Sequence, residues 1–238
     1  MSEQEIQDLR RNYTKGELDE SSVSDHPVDQ FGVWFEQACK AQLLEPNAMS
    51  LATSTSQGQT SLRTVLLKGY DRHGFNFFTN LESNKSVDIQ SNSNVSLLFP
   101  WLSLERQVII NGKAESMPRS EVLKYFVTRP VDSQIGAWAS SQSRIITTRK
   151  LLEMKFDEIK RKFSGGEVPL PSFWGGYRVI PRTIEFWQGR PSRLHDRIQY
   201  TLDEDGLDAP ARTLLCEESP CTHPRRKVEE LHHLKTCA

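Results

Sequence analysis

Thr60-Ser-Leu-Arg-Thr-Val-Leu-Leu-Lys-Gly-Tyr70 is the stretch whose reading decides the fold. It is rich in β-branched and apolar residues, and turn signals bracket it, Gln57-Gly58 before and Asp71-Arg-His-Gly74 after. A strand is therefore expected over 60–70. Working outward, the same reading predicts strands over 48–54, 75–80, 95–99 and 106–114, with a short helix at about 85–90. Helices are expected over 27–43, where Val28, Phe31, Phe35 and Ala38 recur at helical spacing behind Pro27, and over 118–128 and 131–140, separated by Pro130. A longer helix at 147–163 carries the apolar stripe Leu152, Phe156, Ile159, Phe163. Strands resume at 173–180, 183–188 and 194–202. A meander of strands with helical insertions is not a βαβα alternation. The fold class it predicts is mainly β: an antiparallel barrel with flanking helices.

The chain has 238 residues, 37% hydrophobic and 26% charged, with a net charge of -1. That balance excludes a nucleic-acid binder working by bulk charge, so any anion site must come from local clustering of Arg and Lys. The first residues are polar and acidic, with no secretory h-region, and no apolar run approaches the roughly 20 residues of a membrane span. A cytoplasmic, soluble protein is expected. Residues 1–25 read as a mobile arm with a basic knot at Arg10-Arg11-Asn12-Tyr13, residues 26–205 as the barrel domain, and 206–238 as a disordered tail without strand alternation. Cys39 lies in the body and Cys216, Cys221 and Cys237 in the tail, which is no disulfide framework, and no common zinc spacing occurs, so no metal is expected.

The sequence contains neither G-x-G-x-x-G nor a Walker A loop. What stands out is cations in apolar strand contexts. Arg63 and Lys68 lie five apart, so on one strand they face opposite sides and could serve two anions. Arg193, His195 and Arg197 alternate by two and would share a strand face, either simply solvated or gathered around an anion. Tyr125 and Arg129 stand four apart on a helix, with Ser133 just past Pro130; this is a phosphate-binding set or an ordinary helix end. Gln107, Gln142-Ser143 and Trp187 beside Glu185 are further candidates.

Several long motifs, in order, carry a family resemblance: Arg63-Thr-Val-Leu-Leu-Lys68, Leu104-Glu-Arg-Gln-Val108, Ser133-Gln-Ile-Gly-Ala-Trp138, Val168-Pro-Leu-Pro-Ser-Phe-Trp-Gly-Gly176, Ile184-Glu-Phe-Trp-Gln-Gly189 and Arg193-Leu-His-Asp-Arg197. From about Leu9 to Tyr200 the chain resembles the pyridoxine/pyridoxamine 5′-phosphate oxidases. The resemblance implies an FMN-binding split β-barrel, a homodimer with FMN at its interface, and oxidation of pyridoxine 5′-phosphate or pyridoxamine 5′-phosphate by O2. It implies that Arg63, Thr64, Val65, Leu66, Leu67 and Lys68 line the flavin, with Phe78, Thr79, Asn84, Lys85, Gln107, Gln142, Ser143, Trp187 and Arg197. Lys68, Tyr125, Arg129 and Ser133 would hold the substrate phosphate, Arg193, Leu194 and His195 would meet the pyridine ring, and Arg10, Arg11, Asn12 and Tyr13 would form a flap. Arg197 and His195 are the catalytic candidates. A carrier of FMN or pyridoxal phosphate, or a split-barrel flavoenzyme with another substrate, are the alternatives. The sequence departs from the family at Asn84, where an Arg usually precedes the Lys, and past Gly206, where Leu207-Asp-Ala-Pro-Ala211 fits a reading-frame change near Gly206.

Overall fold

The computed structural model describes residues 3–9, 12–140, 148–202 and 211–215. Along the chain run α1 (Glu3–Gln7), α2 (Pro27–Lys40), β1 (Ala48–Ser54), β2 (Thr60–Leu66), β3 (Gly69–Asp71), β4 (Gly74–Asn80), α3 (Asn84–Ser91), β5 (Asn94–Trp101), β6 (Arg106–Ser116), α4 (Arg119–Thr128), α5 (Val131–Ala139), α6 (Arg149–Lys162), β7 (Trp174–Gln188), β8 (Asp196–Thr201) and β9 (Ala211–Leu214). The strands form one sheet in the order β2-β1-β5-β6-β7-β4-β3, with β8 on β7 and β9 on β8. The registers of β3 with β4, β4 with β7, β7 with β8 and β8 with β9 are all antiparallel. The mainly β, antiparallel expectation holds.

Most other bounds shift by up to three residues, and four larger differences from expectation have a physical reason. The strand expected over 60–70 ends at Leu66, because buried Leu67 turns the chain and the Lys68 N–H donates to the Asn76 carbonyl at 2.9 Å. The two strands expected over 173–188 are one, β7. It pairs with β4 over 174–179 and with β8 over 183–188, so Pro181, lacking an N–H, falls between the two registers. The strand expected from 194 starts at Asp196, since Pro191 and the positive φ of Ser192 (59°) and Arg193 (60°) form a turn. The tail expected to carry no strand carries β9, which pairs Ile198 with Leu214 and Thr201 with Ala211 along β8. Residues 206–210 and 216–238 of that stretch, Cys216 and Cys221 included, lie outside the described residues.

The chain divides into two compact units. The first comprises residues 1–50, 97–111 and 181–238. Its core is the apolar face of α2 (Phe31, Trp34, Ala38) on Phe99, Trp101, Phe186 and Tyr200; Trp34 meets Phe186 edge-on at 5.2 Å. The helix starts where the His26 side chain accepts from the Val28 N–H ahead of Pro27, which needs no partner at N1. The expected mobile arm is held from Thr14 onward: Leu18 and Val23 are buried, the Leu18 N–H donates to Asp196 Oδ2 at 2.9 Å, and Tyr200 Oη donates to the Ser24 carbonyl at 2.7 Å. The second unit comprises residues 51–96 and 112–180. Val122, Phe126, Ile135, Ala137, Val168 and Trp174 form its helical core, against which the α6 residues Phe156 and Ile159 pack.

Candidate active site

The second unit gathers four cations around one cavity of about 690 Å3. Its walls are Arg63, Thr64, Val65 and Leu66 from β2, Lys68 from the link between β2 and β3, Phe78 and Thr79 from β4, Lys85 from α3, and Tyr125, Thr128, Arg129, Pro130, Ser133 and Trp174. No lining residue carries a carboxylate. Arg63 and Lys68, expected on opposite faces, line the same cavity, because β2 stops before Lys68 and the strict alternation of a strand no longer applies.

Each cation is set differently. Arg63 donates through Nη1 to Thr53 Oγ1 (2.6 Å) and the Leu51 carbonyl (3.2 Å), and its Nη2 lies 3.7 Å from Asp88 Oδ2. Thr53 in turn donates to Asp88 Oδ2 at 2.6 Å, so β1 and α3 fix the guanidinium from behind. Burial lowers the Arg63 pKa and Asp88 opposes that shift. Lys85, in the first turn of α3, donates to Thr79 Oγ1 (3.0 Å) and Ser83 Oγ (3.1 Å). Burial, then the charge of Arg63, lowers its pKa. Cations crowded until they repel are what a bound anion relieves.

Arg129 is the most telling. Pro130 forces it out of the helix into an extended conformation (φ -74°, ψ 148°), which ends α4. Its guanidinium lies 4.8 Å from the Trp174 ring centre and 5.7 Å from that of Phe126. Its Nη1 is buried with no hydrogen-bond partner. Burial lowers its pKa and Tyr125 opposes that; burial raises the Tyr125 pKa and Arg129 opposes that. Tyr125 stacks on Phe78 at 4.0 Å, and Phe78 on Trp174 at 5.4 Å, giving the cavity a flat aromatic wall. A buried guanidinium N–H without a partner beside a neutral phenol fits a phosphoryl oxygen.

The first unit carries a separate cluster. His195 packs on Trp187 at 4.6 Å, and Tyr13 meets both edge-on, at 5.4 Å from His195 and 5.8 Å from Trp187. His195 Nδ1 accepts from the Arg190 N–H at 3.0 Å. Arg197 donates to both carboxylate oxygens of Glu185, Nε at 3.3 Å and Nη2 at 2.9 Å. The expected single strand face of Arg193, His195 and Arg197 is not formed. Arg193 lies in the turn, exposed Leu194 and His195 precede β8, and only Arg197 is on the strand, its charge already met by Glu185.

Of the other sequence candidates, Leu67 is buried and off the cavity wall, Asn84 opens α3 and is not among the lining residues, Gln107 is half-buried on β6 in the first unit, and Asn12 is exposed. Arg10, Arg11, Gln142 and Ser143 lie outside the described residues. Sequence reasoning did not assign Thr53, Asp88, Thr128, Pro130 or Trp174 to the site. Trp174 stood inside a quoted motif and Thr53 on the inward face of β1; nothing in the sequence marks Asp88 as the partner of Arg63. Among the described residues, no group of three or more potential metal ligands occurs and no helix is long and apolar enough to cross a membrane.

The sheet defines a split-barrel protein, and the second unit carries a cation-lined cavity. Residues 35–163 match the family model described as pyridoxamine 5′-phosphate oxidase, and 174–210 match the pyridoxine 5′-phosphate oxidase C-terminal dimerisation region. The pyridoxine/pyridoxamine 5′-phosphate oxidase of Rippkaea orientalis is 60% identical over 201 residues, covering 84% of this chain and 95% of that one. That of Shewanella sediminis is 55% identical over 204 residues, covering 85% and 96%. Among solved structures, PhzG from Burkholderia lata, in complex with tetrahydrophenazine-1-carboxylic acid, matches with a TM-score of 0.78 at 29% identity, covering 84% of this chain and 98% of that chain. The chain belongs to the pyridoxine/pyridoxamine 5′-phosphate oxidase family.

Proposed function

We propose that this enzyme oxidises pyridoxine 5′-phosphate or pyridoxamine 5′-phosphate to pyridoxal 5′-phosphate, with FMN as cofactor and O2 as oxidant. The observation that carries the reading is the buried, unpartnered Nη1 of Arg129 in a cavity lined by four cations and no carboxylate. Two phosphorylated ligands explain why a chain of net charge -1 concentrates cations there.

In this reading Arg63, Thr79 and Lys85 hold the FMN phosphate and Thr64 to Leu66 run along the flavin, with Leu67 and Asn84 behind that wall. Lys68, Tyr125, Arg129 and Ser133 hold the substrate phosphate. Bound FMN supplies the two-electron oxidation and returns the electrons to O2, which leaves as hydrogen peroxide. The protein supplies position: a phosphate gripped by fixed donors holds the substrate carbon at a set place, an entropic contribution to rate. Tyr125, held neutral by burial, donates rather than repels. Arg193, Leu194 and His195 contact the pyridine ring, and Arg197, oriented by Glu185, helps align the reacting carbon. Gln107, Trp187, Gln142 and Ser143 complete the flavin site. The enzyme works as a cytoplasmic homodimer, a reading supported by the match of 174–210 to a dimerisation region.

One assay tests this. Purified protein is mixed with FMN and pyridoxine 5′-phosphate in air, and aldehyde absorbance and peroxide are followed together. Both should rise in equal amounts. Tight binding of the vitamer without peroxide would instead indicate a carrier, and flavin binding with no response to the vitamer another substrate.

A further inference from the structure

We infer that Glu105 is a positioning residue of the substrate site, clamping the N-terminal arm so that Tyr13 closes on Trp187 and His195. The inference rests on the proposed oxidase reading for its kinetic consequence, though not for its structural one. Glu105 Oε2 accepts from two successive backbone N–H groups of the arm, Thr14 at 2.7 Å and Lys15 at 2.9 Å. A carboxylate between two adjacent N–H groups makes charge-assisted bonds, stronger than neutral ones. Lys15 Nζ adds a bond to the Ser103 carbonyl at 2.8 Å.

The same residue grips the other side of the Tyr13 seat. Its carbonyl accepts from the Gly189 N–H at 2.7 Å and from Gln188 Nε2 at 3.2 Å. The arm passes close over Gly189: a Cβ built there would stand 2.7 Å from Tyr13 Cγ. Only glycine lets the Tyr13 ring settle against that turn. Glu105 reaches both sides from a left-handed backbone (φ 57°, ψ 37°) closing the short helical turn Leu102–Leu104, a conformation uncommon for a residue other than glycine, asparagine or aspartate. One residue thus fastens arm and seat, and the ring between them touches the histidine assigned to substrate.

The test uses the flavin-loaded full chain with Glu105→Ala, Glu105→Gln and Gly189→Ala, and Glu36→Ala on the exposed face of α2 as control. Without substrate, limited trypsin digestion reads release of the fragment beginning at Gly16. Cleavage after Lys15 should speed up on the order of tenfold in Glu105→Ala, as the bonds closing the arm are lost. With pyridoxine 5′-phosphate, KM should rise by a similar factor, with a smaller change in kcat. Glu105→Gln, which keeps an acceptor oxygen, should recover part of both effects, and Gly189→Ala should reproduce them with Glu105 intact. If Glu105→Ala melts well below wild type, Gly189→Ala decides. Wild-type cleavage rates in both variants, or a fall in kcat at unchanged KM, would overturn the clamp. A wild-type enzyme that does not turn over would overturn the oxidase reading alone, since the digestion still decides the clamp.

Discussion

Replacing Arg129 by Met separates what the cavity does for binding from what it does for folding. The arginine holds a buried Nη1 without a partner, which costs about 1–3 kcal/mol in desolvation. Against this stand its contacts over Trp174 and Phe126, about 0.5–1 kcal/mol at exposed sites and up to about 2 kcal/mol where desolvated, part of which methionine's own contact with the rings replaces. Methionine keeps apolar contact with both rings and buries no N–H. The flavin-loaded, substrate-free variant should therefore be as stable as wild type or up to about 2 kcal/mol more stable, a rise of a few degrees in Tm for a chain of this size. Substrate affinity should move the other way. A charge-assisted bond to phosphate contributes about 1.5–3 kcal/mol, so KM should rise by roughly tenfold to a hundredfold. Thermal melts with and without pyridoxine 5′-phosphate, beside steady-state kinetics, measure both. A variant that melts several degrees lower while keeping its KM would refute the reasoning, because Arg129 would then be a structural cation and not a ligand-binding one.

Three further expectations follow from the same geometry. Lys85 is held below its ordinary 10.5 by burial and by Arg63, so between that lowered value and 10.5 the unfolded chain binds more protons and stability rises with pH. Its destabilising contribution is full at neutral pH and fades as pH climbs towards 10.5; Lys85→Met should stabilise the flavin-free protein at neutral pH, lose that advantage in alkali, and weaken FMN binding in a fluorescence titration. Tyr125→Phe removes one neutral donor, so KM should rise about fivefold with kcat nearly kept, and any loss of wild-type activity from Tyr125 ionisation should set in at higher pH than for an ordinary phenol, because burial raises its pKa. Arg197→Leu should lower kcat at wild-type flavin content, read by single-turnover flavin reduction; unchanged turnover would remove Arg197 from the mechanism.

The parts of the fold legible in the sequence were those whose burial alternates cleanly. In β1 the residues alternate between half-buried and buried, so its limits were read as they stand, and the stripe of α6 was visible because Phe156 and Ile159 have one surface to cover. Pro181 misled, because a proline looks like a break until the structure shows it falling between the β4 and β8 registers of one strand. The spacing of Arg193, His195 and Arg197 misled for the opposite reason: the alternation is real, but the positive φ at Ser192 and Arg193 withdraws the first members from the strand. In the site, Tyr125, Arg129 and Ser133 were legible from helical spacing around a proline. The Arg63–Thr53–Asp88 contact was not, since it joins residues 10 and 35 positions apart whose pairing only the folded sheet creates.

Under the proposed function, the bidentate contact between Glu185 and Arg197 would also bear on how a ligand arrives. A guanidinium whose charge is cancelled by an adjoining carboxylate casts little field into solvent, so Arg197 acts at contact range. The lining cations Lys68 and Arg129 have no such companion on the cavity wall, and under the proposed function it is they that a doubly charged ester would sense from afar. At physiological ionic strength that reach extends only about 8 Å. On the proposed reading, encounter with the vitamer should therefore slow as salt is added, while any step that depends on Arg197 should respond far less.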